Sequence, residues 1–385
     1  MEATAINAAA APVRPVPGMP PGPRMPRALQ TAIWSRQAQW LLEQSRRRFG
    51  PVFTLKIANE GEWAVLADPE LAKRVFTGDP RIFHAGEGNE VLRPILGDNS
   101  VLVLDEQRHL GQRRLLLPPF HGERMQAYGE QMREIAAREI ESWPRGTPYR
   151  LRPRMQAITL EIIIETVFGV HGGERLEPLR RALRDFLDLT SDPRLLGPLL
   201  MIGPQRIDLL PPFRRRVARV DELIRREIAE RRAAPDLEQR DDILSLLVAA
   251  RHEDGGPMSD AEIRDELLTL LVAGHETTAT ALSWAVERLS RHPEKLARLR
   301  EEARAGEESY LAATIQETLR LRPVIVIVIR RLTEPVELGG YEIPAGARVV
   351  PSIHLIHRDP RIYPEPAAFR PERFLDHYAA HIADD

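Results

Sequence analysis

The sequence predicts a mainly α-helical protein with a small β region, and three observations support this prediction. A pattern without a helix-breaking residue runs over Ser259–His292. Helical periodicity also covers most of Arg108–Leu247, with breaks at prolines and glycines. Strand-like segments lie near both ends of the chain, and Val336–Leu338 with Tyr341–Ile343 predicts a hairpin. We expect these strands to share one small sheet.

Local signals define the elements near the N-terminus. Alanine and proline dominate the opening of the chain, which predicts a flexible tail over 1–28 and one domain over 29–385. Leu29–Phe49 has helical periodicity and ends at a glycine–proline breaker. Val52–Ile57 and Trp63–Ala67 then predict two strands joined by a turn.

The composition limits the possible classes of function. With 43% hydrophobic and 29% charged residues, the 385-residue chain has ample material for a globular core. A net charge of -2 gives no reason to expect nucleic acid or an acidic membrane surface as a partner. No apolar run reaches the roughly 18 residues of a membrane span, and no signal-peptide pattern is present. A cytoplasmic protein is therefore predicted.

One very long helix is predicted near residue 275. Ser259 and Glu262 form the pattern of a capping box, in which each residue satisfies a free amide of the first turn. The pattern then continues for about 33 residues, or roughly 50 Å. Asp265, Glu266 and Glu276 argue against a membrane span, so this helix should cross a protein core.

The middle of this helix carries the hexapeptide Ala273–Thr278, of sequence AGHETT. A mid-helix glycine costs about 1 kcal/mol relative to alanine, and paired threonines compete for backbone carbonyls, so a local distortion is expected. Ala273 and Thr277 share one helix face, where they would leave room for a flat cofactor and a diatomic ligand. The alternative is a polar patch with the glycine at a crossing of two helices.

A pair of charged motifs follows. Glu317 and Arg320 lie three residues apart on a predicted helix, and Phe369–Phe374, which contains Arg373, comes about fifty residues later. An exposed ion pair would contribute only a few tenths of a kcal/mol. The apolar neighbours of Glu317 and Arg320 favour burial instead.

Together the hexapeptide and the charged motifs resemble the cytochrome P-450 family of haem-thiolate monooxygenases, in the family's order and spacing. The resemblance implies the cytochrome P-450 fold and haem as the cofactor. It implies that Thr277 hydrogen-bonds the dioxygen bound at the iron and that Glu276 helps to deliver protons. It also implies that Arg373 joins Glu317 and Arg320 in a buried charge triad.

The resemblance further assigns residues to the haem itself. His109 and Arg113, four residues apart on a predicted helix, can point at one anionic group, although a solvated basic face would look the same. By resemblance both contact the haem propionates, as does Arg330, with its neighbour Arg331 as the alternative. Ala273 would line the haem pocket.

The substrate and the partners are also implied. The apolar run Val324–Ile329 would line the pocket, while Phe83–Asn99 and Phe186–Phe213 correspond to the family's variable substrate-facing elements. An apolar small molecule would receive one atom of O2, and the other atom would be reduced to water. Because no flavin or dinucleotide motif occurs here, electrons would come from a ferredoxin- or flavoprotein-type donor.

One expected part of the family pattern does not follow. The resemblance covers 29–375, where the family continues into a glycine-rich loop with the iron-binding cysteine. Leu375–Asp385 does not resemble that loop, and the sequence contains no cysteine, which excludes any thiolate ligand from 1–385. We therefore predict a truncated domain that is inactive as given. His377 and His381 are conceivable substitute ligands, but they fit a polar terminal tail better.

The sequence leaves three hypotheses of different classes. The first is a haem-dependent monooxygenase of the cytochrome P-450 family. The second is a non-catalytic, haem-free remnant or binding protein. The third is a purely structural helical protein, in which the oxygen motif and the charge triad would be coincidences.

Overall fold

The computed structural model describes residues 16–120, 123–170, 172, 174, 176–191, 203 and 211–375. The helices in this part are α1 (Arg27–Phe49), α2 (Pro69–Thr77), α3 (Ala85–Gly88), α4 (Arg93–Leu96), α5 (Glu106–Leu116), α6 (Glu123–Glu141), α7 (Leu151–Thr166), α8 (Leu176–Ser191), α9 (Pro211–Ala233), α10 (Ile243–Ala249), α11 (Asp260–Ser290), α12 (Pro293–Ala305), α13 (Ser309–Leu321) and α14 (Ile353–Ile356). The strands are β1 (Val16–Pro17), β2 (Val52–Ile57), β3 (Gly61–Leu66), β4 (Phe83–His84), β5 (Arg330–Leu332), β6 (Val336–Leu338), β7 (Tyr341–Ile343) and β8 (Arg348–Pro351). The predicted mainly α protein with a small β region is confirmed.

The strands form two sheets, not the single sheet that we expected. A five-stranded sheet has the order β2-β3-β8-β5-β4, and a three-stranded sheet has the order β1-β7-β6. β3 pairs in parallel with β8, so early and late parts of the chain do meet in one sheet. The predicted hairpin β6–β7 is present. It lies in the three-stranded sheet, where β1 pairs with the edge of β7 that β6 leaves free.

The chain before α1 packs against the β region, which differs from the flexible tail predicted for 1–28. The Thr54 hydroxyl of β2 donates a hydrogen bond to the Pro20 carbonyl at 2.6 Å. Gly22 lies so close to β2 that a Cβ would stand 2.0 Å from the Thr54 carbonyl oxygen. A proline-rich segment has few amide donors but retains its carbonyl acceptors. Here β2 donates hydrogen bonds to these carbonyls. Residues 1–15 lie outside the described part.

The long helix α11 begins at the predicted capping box and crosses the largest apolar core. The Glu262 amide donates to Ser259 Oγ at 3.2 Å, and the Ser259 amide donates to Glu262 Oε2 at 2.8 Å. Its first half is buried, and α7 packs along it. Among the described helices, none combines the length and the apolar character that crossing a membrane requires.

Glu317, Arg320 and Arg373 meet in a buried cluster between α13 and the short 3-10 helix Pro371–Phe374. Arg320 donates to both Glu317 carboxylate oxygens, from Nε at 2.6 Å and from Nη2 at 2.9 Å. Arg373 Nε lies 3.2 Å from Glu317 Oε2. Arg320 also donates to backbone carbonyls of the chain after α14, and it is only 2% exposed. The cluster thus attaches the last described segment to α13.

We predict that Glu317→Ala lowers the free energy of unfolding by about 3–5 kcal/mol, because two guanidinium groups lose their buried counter-ion. Denaturant unfolding measures this loss. The control is Glu62→Ala, which breaks the exposed pair with Lys56 (2.9 Å) and should cost less than about 1 kcal/mol. Equally small losses for the two substitutions would show that the buried cluster does not stabilise the fold.

Candidate functional site

The helix α11 is continuous through Ala273–Thr278, so the predicted local distortion is wrong. Thr277 Oγ1 donates to the Ala273 carbonyl at 2.5 Å, which satisfies the hydroxyl without opening the helix. A Cβ on Gly274 would lie 3.5 Å from Ile163 Cδ1 of α7. This is an ordinary van der Waals distance, so α7 packs beside Gly274 without a close approach that would require glycine.

Glu276 and His275 contact α7. The Glu276 carboxylate accepts hydrogen bonds from Arg152 and from Gln156 Nε2, the latter at 3.0 Å. His275 Nδ1 lies 2.8 Å from the Thr159 hydroxyl, and burial lowers the pKa of this histidine to about 4. The two predicted catalytic side chains are therefore held by different partners, the carboxylate by α7 and the hydroxyl by its own helix.

Three basic side chains from two segments, α5 and β5, make up what we call the cationic cluster: His109, Arg113 and Arg330. His109 and Arg113 lie one turn apart on α5, and Arg330 begins β5. Burial lowers the pKa of His109, and the charges of Arg113 and Arg330 lower it further, against the opposing effect of Asp105. The charges of both arginines thus act on this imidazole, which links the three groups electrostatically. Their contact with the haem propionates stays a prediction.

Among the described residues, the arginines of the cationic cluster have no carboxylate at ion-pair distance, although the charge of Asp105 acts on Arg330 from farther away. Burial lowers the pKa of Arg330, and its guanidinium lies 5.9 Å from the centroid of the Phe76 ring. Arg331, the alternative considered from the sequence, pairs instead with Glu87 Oε2 at 3.1 Å. Within the residues that the structure describes, no carboxylate lies at ion-pair distance from Arg113 or Arg330.

The cationic cluster fits the carboxylates of a haem, whereas no cysteine thiolate is present in the sequence to bind its iron. Arg330 and His109 are partly buried, whereas Arg113 is exposed. A positive group such as Arg330 that is partly withdrawn from water is costly unless an anion compensates it. Ile325, 57% exposed on the chain before β5, suits the apolar macrocycle. The sequence contains no cysteine for a thiolate, and the candidate histidines His377 and His381 lie outside the described residues.

A buried carboxyl on α11 was missed as a functional feature, because the sequence shows only its polarity. Glu266 is 0% exposed, and its Oε1 accepts the Val101 amide at 2.8 Å. Its Oε2 has no hydrogen-bond partner in the described part of the chain. Burial raises the pKa of Glu266 to about 8, with help from Asp265 and against the Val101 amide and Gln112. This carboxyl is therefore mostly protonated near neutral pH.

We expect the native protein to lose stability as the pH rises, and we predict that the Glu266→Gln variant does not show this loss. Because the folded-state pKa of about 8 lies above the ordinary 4.5, the native state binds this proton more tightly than the unfolded chain does. The free energy of unfolding of the native protein therefore falls as the pH rises between these values. The glutamine keeps an acceptor for the Val101 amide and cannot ionise.

At about pH 8 the variant should be more stable than the native protein by about 1–3 kcal/mol, and at about pH 4 the two should be similar. Urea unfolding at both pH values measures this difference. Glu62→Gln, at an exposed position, is the control and should show no such trend. A stability difference for the Glu266 variant that does not change with pH would contradict the prediction.

Comparison with known proteins identifies the family. The family model described as "Cytochrome P450" matches residues 16–384. A Mycobacterium tuberculosis protein named "Putative cytochrome P450 135B1" is 44% identical over 371 residues, covering 93% of this chain and 77% of that protein. "Putative cytochrome P450 135A1" from the same organism is 38% identical over 360 residues, covering 93% of this chain and 80% of that protein.

Solved structures agree with these sequence matches. The structure described as "Retinoic acid bound cyanobacterial CYP120A1" superposes with a TM-score of 0.80 at 25% identity, covering 93% of this chain and 82% of that chain. A second, described as "Crystal structure of cytochrome P450DA heme domain", gives a TM-score of 0.74 at 25% identity, with 94% and 82% covered. The chain therefore belongs to the cytochrome P450 family of haem-dependent monooxygenases.

Proposed function

We propose that this chain carries the oxygen-side helix and the carboxylate-binding groups of a cytochrome P450 that oxidises an apolar small molecule. The observation that carries the proposal is the cationic cluster, whose arginines have no counter-ion among the described residues. Haem, when bound, supplies the activation of dioxygen. One structural neighbour is described as bound to retinoic acid, a largely apolar molecule, which supports the substrate class. Electrons would come from a ferredoxin- or flavoprotein-type donor.

His109, Arg113 and Arg330 would hold the haem carboxylates. A guanidinium donates two parallel hydrogen bonds to a carboxylate, and such charge-assisted bonds are stronger than neutral ones. Because its pKa is lowered, His109 is mostly neutral near pH 7 and would donate from a single ring N–H. Arg330 would also shield the carboxylates from water, since it is partly buried beside Phe76.

Thr277 and Glu276 would handle protons beside the pocket. A threonine hydroxyl donates one hydrogen bond and accepts two, and the Thr277 proton is engaged by the Ala273 carbonyl. Thr277 can therefore accept a hydrogen bond as it stands, and it must rotate to donate one. The Glu276 carboxylate is paired with Arg152. A side-chain movement or a water chain must connect the two residues.

We further propose that residues 1–385 alone do not form a thiolate-bound haem centre and are inactive as a monooxygenase. The lack of cysteine supports this proposal. So does a set of exposed apolar side chains on α11 and α13, two helices that pack together. These side chains, between 37% and 47% exposed, are Leu282, Val286, Ile315 and Leu319. Such surfaces are normally covered by another segment or a partner.

The runner-up function is a non-catalytic binding protein, which the same lack of cysteine favours. In that case the cationic cluster would still bind a carboxylate-bearing ligand, but no oxidation would follow. The two functions differ in the iron ligand, so a spectrum separates them.

We predict that the purified chain shows no absorption band at about 450 nm after it is given haem, reduced and exposed to carbon monoxide, because that band requires a thiolate ligand. The measurement is a reduced carbon monoxide difference spectrum. A family member that carries the cysteine loop is the positive control. The appearance of the band from this cysteine-free chain would overturn the proposal of inactivity.

We predict that Arg113→Gln and Arg330→Gln each weaken the binding of iron-free protoporphyrin IX by about tenfold, because each removes one charge-assisted hydrogen bond. Porphyrin fluorescence during titration measures the affinity. Arg108→Gln removes the same charge from an exposed position of α5 and should change the affinity little. The dimethyl ester, which lacks both carboxylates, should bind all variants alike. Equal binding of acid and ester by the native chain would contradict the proposal.

A further inference from the structure

A histidine and three carboxylates join β4 to the start of α5, in a group that we call the His84 staple: His84, Glu87, Asp105 and Glu106. His84 Nδ1 lies 3.1 Å from Glu87 Oε1, and its Nε2 lies 3.0 Å from Glu106 Oε1. Asp105 Oδ2 lies 3.8 Å from Nδ1. His84 and Glu87 lie in the segment Phe83–Asn99, which the sequence assigned to the substrate-facing elements without giving either residue a role of its own.

The geometry of the staple selects the charged form of His84. An ionised carboxylate only accepts hydrogen bonds, and a neutral imidazole has a single N–H to donate. Two ring nitrogens facing two carboxylates therefore both donate only in the imidazolium form. The His84 side chain is just 11% exposed, so water can replace these contacts only in part.

Asp105 and two glycines leave this region little freedom. The Asp105 carboxylate accepts the Gly86 amide at 2.7 Å and the Glu87 amide at 2.8 Å. A Cβ on Gly86 would stand 2.6 Å from backbone atoms of Leu104, so the two segments lie in direct contact. The segment that contains His84 is therefore packed against the start of α5.

The staple also reaches β5. His84 is opposite Arg331 in the antiparallel pairing of β4 with β5, and Glu87 Oε2 lies 3.1 Å from Arg331 Nη1. A Cβ on Gly88 would stand 2.7 Å from the Ile329 carbonyl oxygen. The staple thus connects the two elements, α5 and β5, that carry the cationic cluster.

The first residue of α5 is held in a strained conformation. Glu106 has a φ of 50°, in the left-handed region that residues other than glycine rarely adopt. Such conformations persist where surrounding contacts over-determine them. Here the contact of the Glu106 carboxylate with His84 Nε2 provides that restraint.

We propose that His84 is a positioning residue for cofactor binding: its imidazolium fixes α5 relative to β5, and so sets the spacing of the cationic cluster for a porphyrin with two carboxylates. This inference rests on the proposed function, which assigns the carboxylates to that cluster. His84 itself does not touch the cofactor. Its protonation controls how well His109 and Arg113 are aligned with Arg330.

The proposal has a definite dependence on pH. Burial acts to lower the pKa of His84, but the Glu87 hydrogen bond and the charges of Asp105 and Glu106 outweigh it and raise the pKa above 6.5. The positive groups near these carboxylates are Arg331, paired with Glu87, and Arg81, which interacts with Glu106. A raised pKa means that the staple is complete at low pH and is lost as the pH rises through the folded-state value.

The pKa of His109 is shifted in the opposite direction to that of His84, because burial and the charges of Arg113 and Arg330 lower it, whereas the pKa of His84 is raised. Glu266, with a pKa of about 8, titrates as the pH rises above neutral and contacts the chain before α5. The test must therefore compare variants that all retain Glu266.

The test is a fluorescence titration with iron-free protoporphyrin IX from about pH 6.5 to about pH 9, on the native chain, His84→Lys and Glu106→Gln. A lysine ammonium has several donors and stays charged to about pH 10, so it should replace the imidazolium without titrating. Glu106→Gln keeps His84 but removes one carboxylate, and so should shift the transition to lower pH.

We expect the native affinity to fall by about tenfold over this range and the His84→Lys affinity to change less, in line with the loss of one ionic contact. Identical profiles for the native chain and the lysine variant would overturn the role of His84, as would an unshifted transition in Glu106→Gln. If the Arg113 and Arg330 substitutions weaken binding while these profiles coincide, only the proposed role of the His84 staple is contradicted. If the two arginine substitutions have no effect, the proposed function itself fails.

Discussion

Glu317 accepts hydrogen bonds from Arg320 and Arg373 at the point where α13 meets the last described segment, and all three groups are withdrawn from water. Removing one partner of such a cluster leaves an uncompensated charge, so the contact tolerates little displacement. The chain runs from the end of α13 through the apolar run Val324–Ile329 into β5. The position of Arg330, and with it the cationic cluster, therefore depends on this ion cluster.

Arg330 of the cationic cluster illustrates the converse case, because its charge is not compensated within the described part of the protein as the charge of Arg320 is. Arg320 finds a carboxylate and several backbone carbonyls inside the protein, whereas Arg330 finds mainly the Phe76 ring and one neighbouring carbonyl. Burying a positive group costs free energy when no internal anion compensates its charge. An anionic ligand would supply that compensation. An uncompensated charge of this kind is typical of functional residues, which supports the proposed carboxylate-binding role of Arg330.

Local signals in the sequence were sufficient for much of the fold. The capping box at Ser259 and the strand Val52–Ile57 depend on neighbouring residues, and both lie where they were predicted. The pairing of Arg331 with Glu87 could not be seen locally, because Glu87 lies far away in the chain. Glu266 and His84 were missed for the same reason, since their surroundings are assembled from distant segments.

Two ionisable groups hold the same stretch of chain in front of α5, and their protons act in the same direction. Glu266 accepts a hydrogen bond from the Val101 amide, and burial favours the protonated form of its carboxyl. His84 holds Glu106 only while its ring is charged. As the pH rises, Glu266 gains a buried charge, which lowers the stability of the fold, and His84 loses its second donor, which releases Glu106 at the start of α5. The alignment of His109 and Arg113 with Arg330 should therefore be best from mildly acidic to neutral pH.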